Sequence, residues 1–353
     1  THSLEHGKGS RMKPLTRSPW QQSFLEQVDT IIEEVFENTG SADFKDILLS
    51  HHRGGKRLRP LVIACCAQFG EKESSNLHLA ATAVELLHLA SLFHDDVLDD
   101  TDSRRFQLAA QKQEGNLTSI LSGDYLLTEA IRMMVSHMSS DLALDGLTTI
   151  KKMIKSEIYS HKWLYRLEIT KKEFLQIIDE KTASLFAFAA HLGIRMTATS
   201  AGTIDRVTAF GRNLGMAYQI ADDLEDMLGI VDGSDIDLAH GYLSLPIIEL
   251  LQLANADSKP RVRDIVMNYK PEYAEELIGL MKSYSIFPIT FSQIKSYLDQ
   301  AMSDLHGVKG TGLLHKQDAL EYLGSICGYV EKKTEEVITR YEDALSRKSY
   351  AIA

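Results

Sequence analysis

The chain of 353 residues is 44% hydrophobic and 25% charged, with a formal net charge of -11. That acidity argues against nucleic acid or an anionic membrane surface as the main partner, while the apolar content is ample for a large core. Three cysteines, two adjacent (Cys65, Cys66) and one distant (Cys327), form neither a disulfide framework nor a metal-binding spacing, which fits a reducing cytoplasm.

Residues 1–11, with two His, two Gly and two Ser, read as an added leader before a start at Met12. No Pro, Gly or Ser-rich linker divides the rest, so residues 12–353 are expected to form a single domain. Phe24, Val28, Ile31, Ile32 and Phe36 trace an amphipathic first helix, and Phe44, Ile47 and Leu48 a short second one. Gly54 and Gly55 then interrupt, presenting Lys56, Arg57 and Arg59 before Pro60 opens the next helix. A long helix is expected from near Ser75 to about Asp100, an irregular polar segment after Arg105, and further helices from about Leu117 and over Asp141 to Tyr165. The period of the last leaves the facing of Glu157 open. Lys171 to Leu192 reads as one apolar, central helix, and Asp205 to Met227 as the next. From Lys259 onward the helices are amphipathic without chemical clusters and read as structural, a wall of the site at most. No Val/Ile/Thr alternation persists, no stretch reaches the apolar length of a transmembrane segment, and the sequence shows no signal-peptide pattern. The pattern predicts an all-α helical bundle with its site between facing helices.

Two of these helices end in acids. Asp95, Asp96, Asp99 and Asp100 crowd the C-terminal end of one, where they repel each other and the helix dipole unless cations are supplied. Asp95 and Asp99 are four apart and share a face. YQIADDLEDM repeats the device, with Asp222 and Asp226 four apart and Asp223 beside the first. Carboxylates held one turn apart suit hard divalent cations, Mg²⁺ above all when a phosphate is the other partner.

The pair HDDVLDD and QIADDLEDM, with GGKRLRP ahead of them and Lys181-Thr182 between, resembles the trans-isoprenyl diphosphate synthases, the polyprenyl synthetase family. The resemblance runs from about Gly54 to Pro246 and keeps the motifs in the family's order. It implies an isoprenoid-synthase bundle whose central cavity is lined by two Asp-rich helices. It also implies Mg²⁺-dependent, head-to-tail condensation of isopentenyl diphosphate with an allylic diphosphate, and a homodimer, with a heteromer as the other possibility. On this match Asp95, Asp96 and Asp99 hold metal on one side and Asp222, Asp223 and Asp226 on the other, Asp226 through water. Lys56, Arg59, His88 and Arg105 match the socket for isopentenyl diphosphate. Arg104 and Lys181 match the residues that hold the allylic diphosphate, with Thr182 and Gln219 as polar neighbours. Phe93, Phe186 and Tyr218 offer apolar and π walls to a carbocation.

Product length depends on the floor beneath the first acid cluster. Ala90, Ser91 and Leu87 lie one and two turns before Asp95, where short-chain relatives carry bulky aromatics, so the floor reads as open and the product as longer than geranylgeranyl. Closure is expected lower down, at Leu87 and at Leu127, Ile131 or Met134. Three departures stand out: RRFQLAAQ lacks the usual Gly and Pro-Thr after the arginine pair, and Ile236 and Tyr242 occupy places where the family carries lysines. Asp237 and Gly241 still match. The rival readings are a class I terpene cyclase, disfavoured by two Asp-rich clusters and GGKRLRP, and a non-catalytic subunit of a heteromeric synthase, disfavoured by both clusters being intact.

Overall fold

The computed structural model describes residues 15–98, 103–104, 107–108, 115–197, 199–229, 236–308 and 312–349, with the backbone alone at 103–104, 107–108 and 344–349. The leader, Asp99, Asp100 and Arg105 lie outside the described residues, as does the side chain of Arg104.

The chain opens with α1 (Pro19–Glu37), α2 (Ala42–His52), α3 (Leu58–Ala67) and the long α4 (Leu77–Leu98). A two-residue antiparallel bridge, β1 (Ser103–Arg104) with β2 (Gln107–Leu108), precedes α5 (Asn116–His137) and α6 (Ser140–His161). Next come α7 (Lys171–Ile178), a π turn (Asp179–Ala183), α8 (Ser184–Arg195) and α9 (Ala201–Asp226). A short 3-10 turn (Asp237–His240) leads to α10 (Leu245–Leu253), α11 (Lys259–Met267), α12 (Ala274–Ser283), α13 (Ile286–His306) and α14 (Lys316–Ser349). The fold is all-α as the sequence pattern predicts, with the small bridge where an irregular segment was expected.

Local chemistry sets the helix starts. At α1 Pro19 occupies the first turn, and Ser18 and Gln21 form a capping box. Thr170 and Glu173 make another at α7, and the Ser139 and Ser200 hydroxyls accept from the third residue of α6 and α9. The expected single helix over Lys171–Leu192 is present but carries a π turn within it, which inserts one residue between two apolar stripes.

One buried apolar cluster extends from Phe24 to Tyr341. Within it α4 packs along α5, and α9 packs along α8 and α13. Two close approaches depend on glycine: a Cβ on Gly211 would come within 2.5 Å of the Phe186 carbonyl oxygen, and one on Gly215 within 2.7 Å of Ala183 Cα. Their absence lets α9 lie against the π turn. By length and composition α4 does qualify as a membrane span, contrary to the sequence expectation, but 67% of its most apolar window is buried within the protein. The three thiols are free and buried, and burial pushes Cys65 up to about 12, so none is a poised nucleophile.

Candidate active site

The ends of α4 and α9 face one cavity of about 970 Å³. Its polar end is lined by Arg59, His88, Asp95, Lys181, Thr182, Gln219 and Asp222, residues from four separate stretches of sequence. Its apolar end runs past Leu87, Ala90, Ser91, Leu127, Ile150, Met153 and Leu185. Asp223 lines a smaller adjoining pocket with Lys181, Thr182, Gln219 and Tyr242.

Position on the helix separates the acids of each cluster. Asp95 reaches the cavity, whereas Asp96, one residue and about 100° further round, is completely buried at 0% exposure and does not line it. Asp222 lines the cavity, while Asp226 takes a hydrogen bond from the backbone N–H of Asp237 at 3.0 Å. Thr182 donates to Gln219 at 2.8 Å, and the Gln219 amide donates to Asp223 at 2.8 Å, so these polar neighbours of the site hold an acid in place. Burial, with Asp237, Asp222 and Asp226 nearby, pushes the Asp223 carboxyl up to about 8 despite that hydrogen bond. A carboxyl that keeps its proton near neutral pH must surrender it to bind a cation, and Asp223, crowded by other acids, has the donor chemistry a hard divalent ion requires. Among the described residues, however, no three acidic, His or Cys side chains converge tightly enough to hold a bare ion alone.

The cationic groups fall into distinct settings. Arg59 lies over the Phe186 ring at 4.5 Å, and Lys56 donates to the Tyr329 hydroxyl at 2.8 Å. Lys181, within the π turn, pairs with Glu157 at 2.7 Å; Glu157 therefore faces inward and lines the cavity. Arg57, expected to be presented beside Lys56 and Arg59, turns the other way. With a left-handed φ of 53°, it inserts between Asp29, Glu85 and the His52 carbonyl at 3.0, 3.4 and 2.9 Å, where it braces α1, α2 and α4. Of the three expected aromatic walls, Tyr218 lines the cavity; Phe93 packs against His51 and Phe186 lies behind Tyr218. Leu127 meets the channel as expected, whereas Ile131 and Met134 pack into the core. The C-terminal helix is more than a wall: Lys333 of α14 bonds Asp222 at 2.5 Å and Glu225 at 2.6 Å.

The family model for polyprenyl synthetase matches residues 44–282. The chain belongs to the polyprenyl synthetase family. A curated relative, the heptaprenyl diphosphate synthase component 2 of Geobacillus stearothermophilus, is 31% identical over 86% of this chain and 97% of its own. A decaprenyl diphosphate synthase structure from Rhodobacter capsulatus superposes with a TM-score of 0.81 at 23% identity, covering 89% of this polyprenyl synthetase and 97% of that chain. A geranylgeranyl pyrophosphate synthase from Corynebacterium glutamicum, complexed with calcium and isoprenyl diphosphate, superposes with a TM-score of 0.75 at 25% identity, covering 89% and 96%. Membership makes this polyprenyl synthetase a trans-prenyltransferase.

Proposed function

We propose that this polyprenyl synthetase condenses isopentenyl diphosphate with an allylic diphosphate, head to tail and with Mg²⁺, to give a linear trans-prenyl diphosphate longer than C20. The observation that carries the reading is the course of the cavity, which begins between Asp95 and Asp222 and continues past Ala90 and Leu87 into apolar surroundings.

In the reaction the allylic C–O bond breaks and the diphosphate leaves with the electron pair. The isopentenyl double bond forms the new C–C bond to the allylic carbon, and loss of a proton creates the new double bond. Asp95 and Asp222, which line the cavity, and Asp223 beside it are the residues that would hold Mg²⁺, together with Asp99 by its place in the motif and with Asp96 and Asp226 in support. Bound Mg²⁺ would neutralise the charge that gathers on the departing diphosphate. Lys56, Arg59, His88 and Arg105 form the socket for isopentenyl diphosphate, and Lys181 with Arg104 grips the allylic diphosphate, Arg by its planar fork and Lys as a point charge. Glu157 keeps the Lys181 ammonium in place, while Tyr218 excludes water and turns a π face to developing positive charge.

Tail length follows from the floor. Ala90 lies five residues before Asp95, about 7.5 Å along the helix, and Leu87 about 12 Å; a methyl group at Ala90 leaves the tail room to pass. The purified chain given Mg²⁺, isopentenyl diphosphate and farnesyl diphosphate is expected to yield products beyond C20 by mass spectrometry. Ala90→Phe should shorten them by one or more five-carbon units. Geranylgeranyl diphosphate as the end product of both proteins would rule the long-chain reading out, and farnesyl diphosphate recovered unchanged from wild type would rule out the condensation.

The assembly we propose is a dimer through α5 and α6. Leu117, Leu121 and Val135 on α5 and Leu144, Ile154 and Ile158 on α6 recur at helical spacing and are exposed, an apolar face that calls for a partner. A second copy of this chain is the first expectation. A different subunit is the second, because the Geobacillus relative is named as one component of its synthase. Leu121→Glu with Leu144→Glu, at positions 56% and 62% exposed in the isolated chain, is expected to halve the mass measured by light scattering without loss of helicity; a wild-type monomer would favour the second subunit. The core burial of α4 and the free thiols support a cytoplasmic protein.

A further inference from the structure

The acid cluster of α9 already has a cation beside it. Lys333 spans Asp222 and Glu225, and its side chain is only 6% exposed. It stands behind Asp222 rather than in the cavity lining, with its ammonium 5.9 Å from the centre of the Tyr218 ring. One turn earlier on the same helix, Tyr329 takes the hydrogen bond from Lys56, so α14 is fastened to the site at two successive turns. A buried ammonium deprived of partners is costly, so Lys333 is held to these two carboxylates, which are themselves open to the solvent side at 37% and 51% exposure.

We infer that Lys333 is a resident counter-ion of the second acid cluster, one that disfavours a bare divalent cation at Asp222 and Glu225 and admits the cation together with a diphosphate. The inference rests on the reading of Asp222 as a metal ligand. A dication arriving alone must compete with an ammonium already bonded to the same oxygens, at a place where no three described acidic, His or Cys side chains converge. A diphosphate changes the balance in two ways: its negative charge offsets the repulsion from Lys333, and its oxygens complete the shell that the protein leaves open. Metal and diphosphate then favour each other's binding, and by linkage the coupling is reciprocal.

The test is Mn²⁺ binding followed by paramagnetic resonance, with and without inorganic pyrophosphate, on wild type, Lys333→Met and Lys332→Met. Lys332 is exposed and pairs with Glu336, away from Asp222. Wild type and Lys332→Met are expected to bind Mn²⁺ at least tenfold more tightly with pyrophosphate than without. Lys333→Met is expected to bind Mn²⁺ alone at least tenfold more tightly than wild type, with a smaller gain from pyrophosphate. Should the Met variant lose its helical signal, Lys333→Gln, which keeps a polar group and removes the charge, is measured with the same expectation. Mn²⁺ affinity without pyrophosphate that stays equal or falls in the folded variant would overturn the inference. Wild type that takes up no Mn²⁺ even with pyrophosphate would instead overturn the metal reading beneath it.

Discussion

Asp95→Ala or Asp222→Ala is expected to lower turnover by about 10²–10³-fold or more, because each removes a carboxylate from one side of the cavity where the leaving diphosphate must be stabilised. The effect should be similar for both although the residues lie on different helices, since neither side can do the other's work. The fold should survive: both side chains line the cavity, and in Asp222→Ala the Lys333 ammonium retains Glu225 at 2.6 Å. Steady-state assays at saturating Mg²⁺, paired with circular dichroism, separate lost chemistry from lost structure. Chelation of wild type by EDTA should abolish turnover, and Mg²⁺ should restore it. Undiminished activity in EDTA would remove the metal from the mechanism altogether.

The largest stability effect is expected at Arg57. This side chain is 9% exposed and joins Asp29 on α1, His52 on α2 and Glu85 on α4. Arg57→Ala leaves Glu85 buried without its guanidinium, and breaking a buried pair in this way costs about 3–5 kcal/mol, a large part of the ~5–15 kcal/mol that stabilises a typical protein. Arg57→Lys keeps the charge but loses the fork and should fall between. The sign of the pH dependence is fixed by Asp29. Burial works against its charged form, yet His52 and Arg57 outweigh burial and hold the carboxyl below its usual value. A depressed carboxylate stabilises the fold above its unfolded pKa, near 3.9, and that contribution is lost as pH falls through the folded value. Urea unfolding should therefore show a smaller gap between wild type and Arg57→Ala at pH 3 than at pH 7. A gap that widens on acidification would mean that Asp29 is not part of the effect.

What sequence could reveal here was chemistry packed into short stretches. Asp95 and Asp222 announce themselves by acids four residues apart at the ends of apolar helices, and the helical class follows from the period of residues such as Phe24, Val28 and Ile32. Partnership across the fold was not legible in the same way. Lys333 is 111 residues from Asp222, and Tyr329 is 273 from Lys56, so no local pattern marks α14 as part of the site. Glu157 sits on an amphipathic helix whose period does not say which way a residue near the boundary faces, and only the neighbouring Lys181 decides it. Arg57 was misplaced for a related reason: GGKRLRP reads as a basic turn open to solvent, while one left-handed backbone step reverses the first of its two arginines into the protein.

The π turn over Asp179–Ala183 has a bearing on how this protein and its relatives are compared. An α-helix that gains one residue without ending turns everything beyond it by about 100°. On a continuous α-helix Phe174, Ile178, Phe188 and Leu192 would share one face; the π turn rotates the second pair about 100° away from the first, and all four are buried. The turn acts as a phase adjuster, letting α7 and α8 each meet its own neighbours while Lys181 and Thr182 lie at the seam. For a relative that lost or gained one residue in this short span, residue-by-residue matching would still read smoothly on both flanks. Yet the lysine and threonine would face different directions, and a chain that keeps the letters could have lost the grip on its substrate.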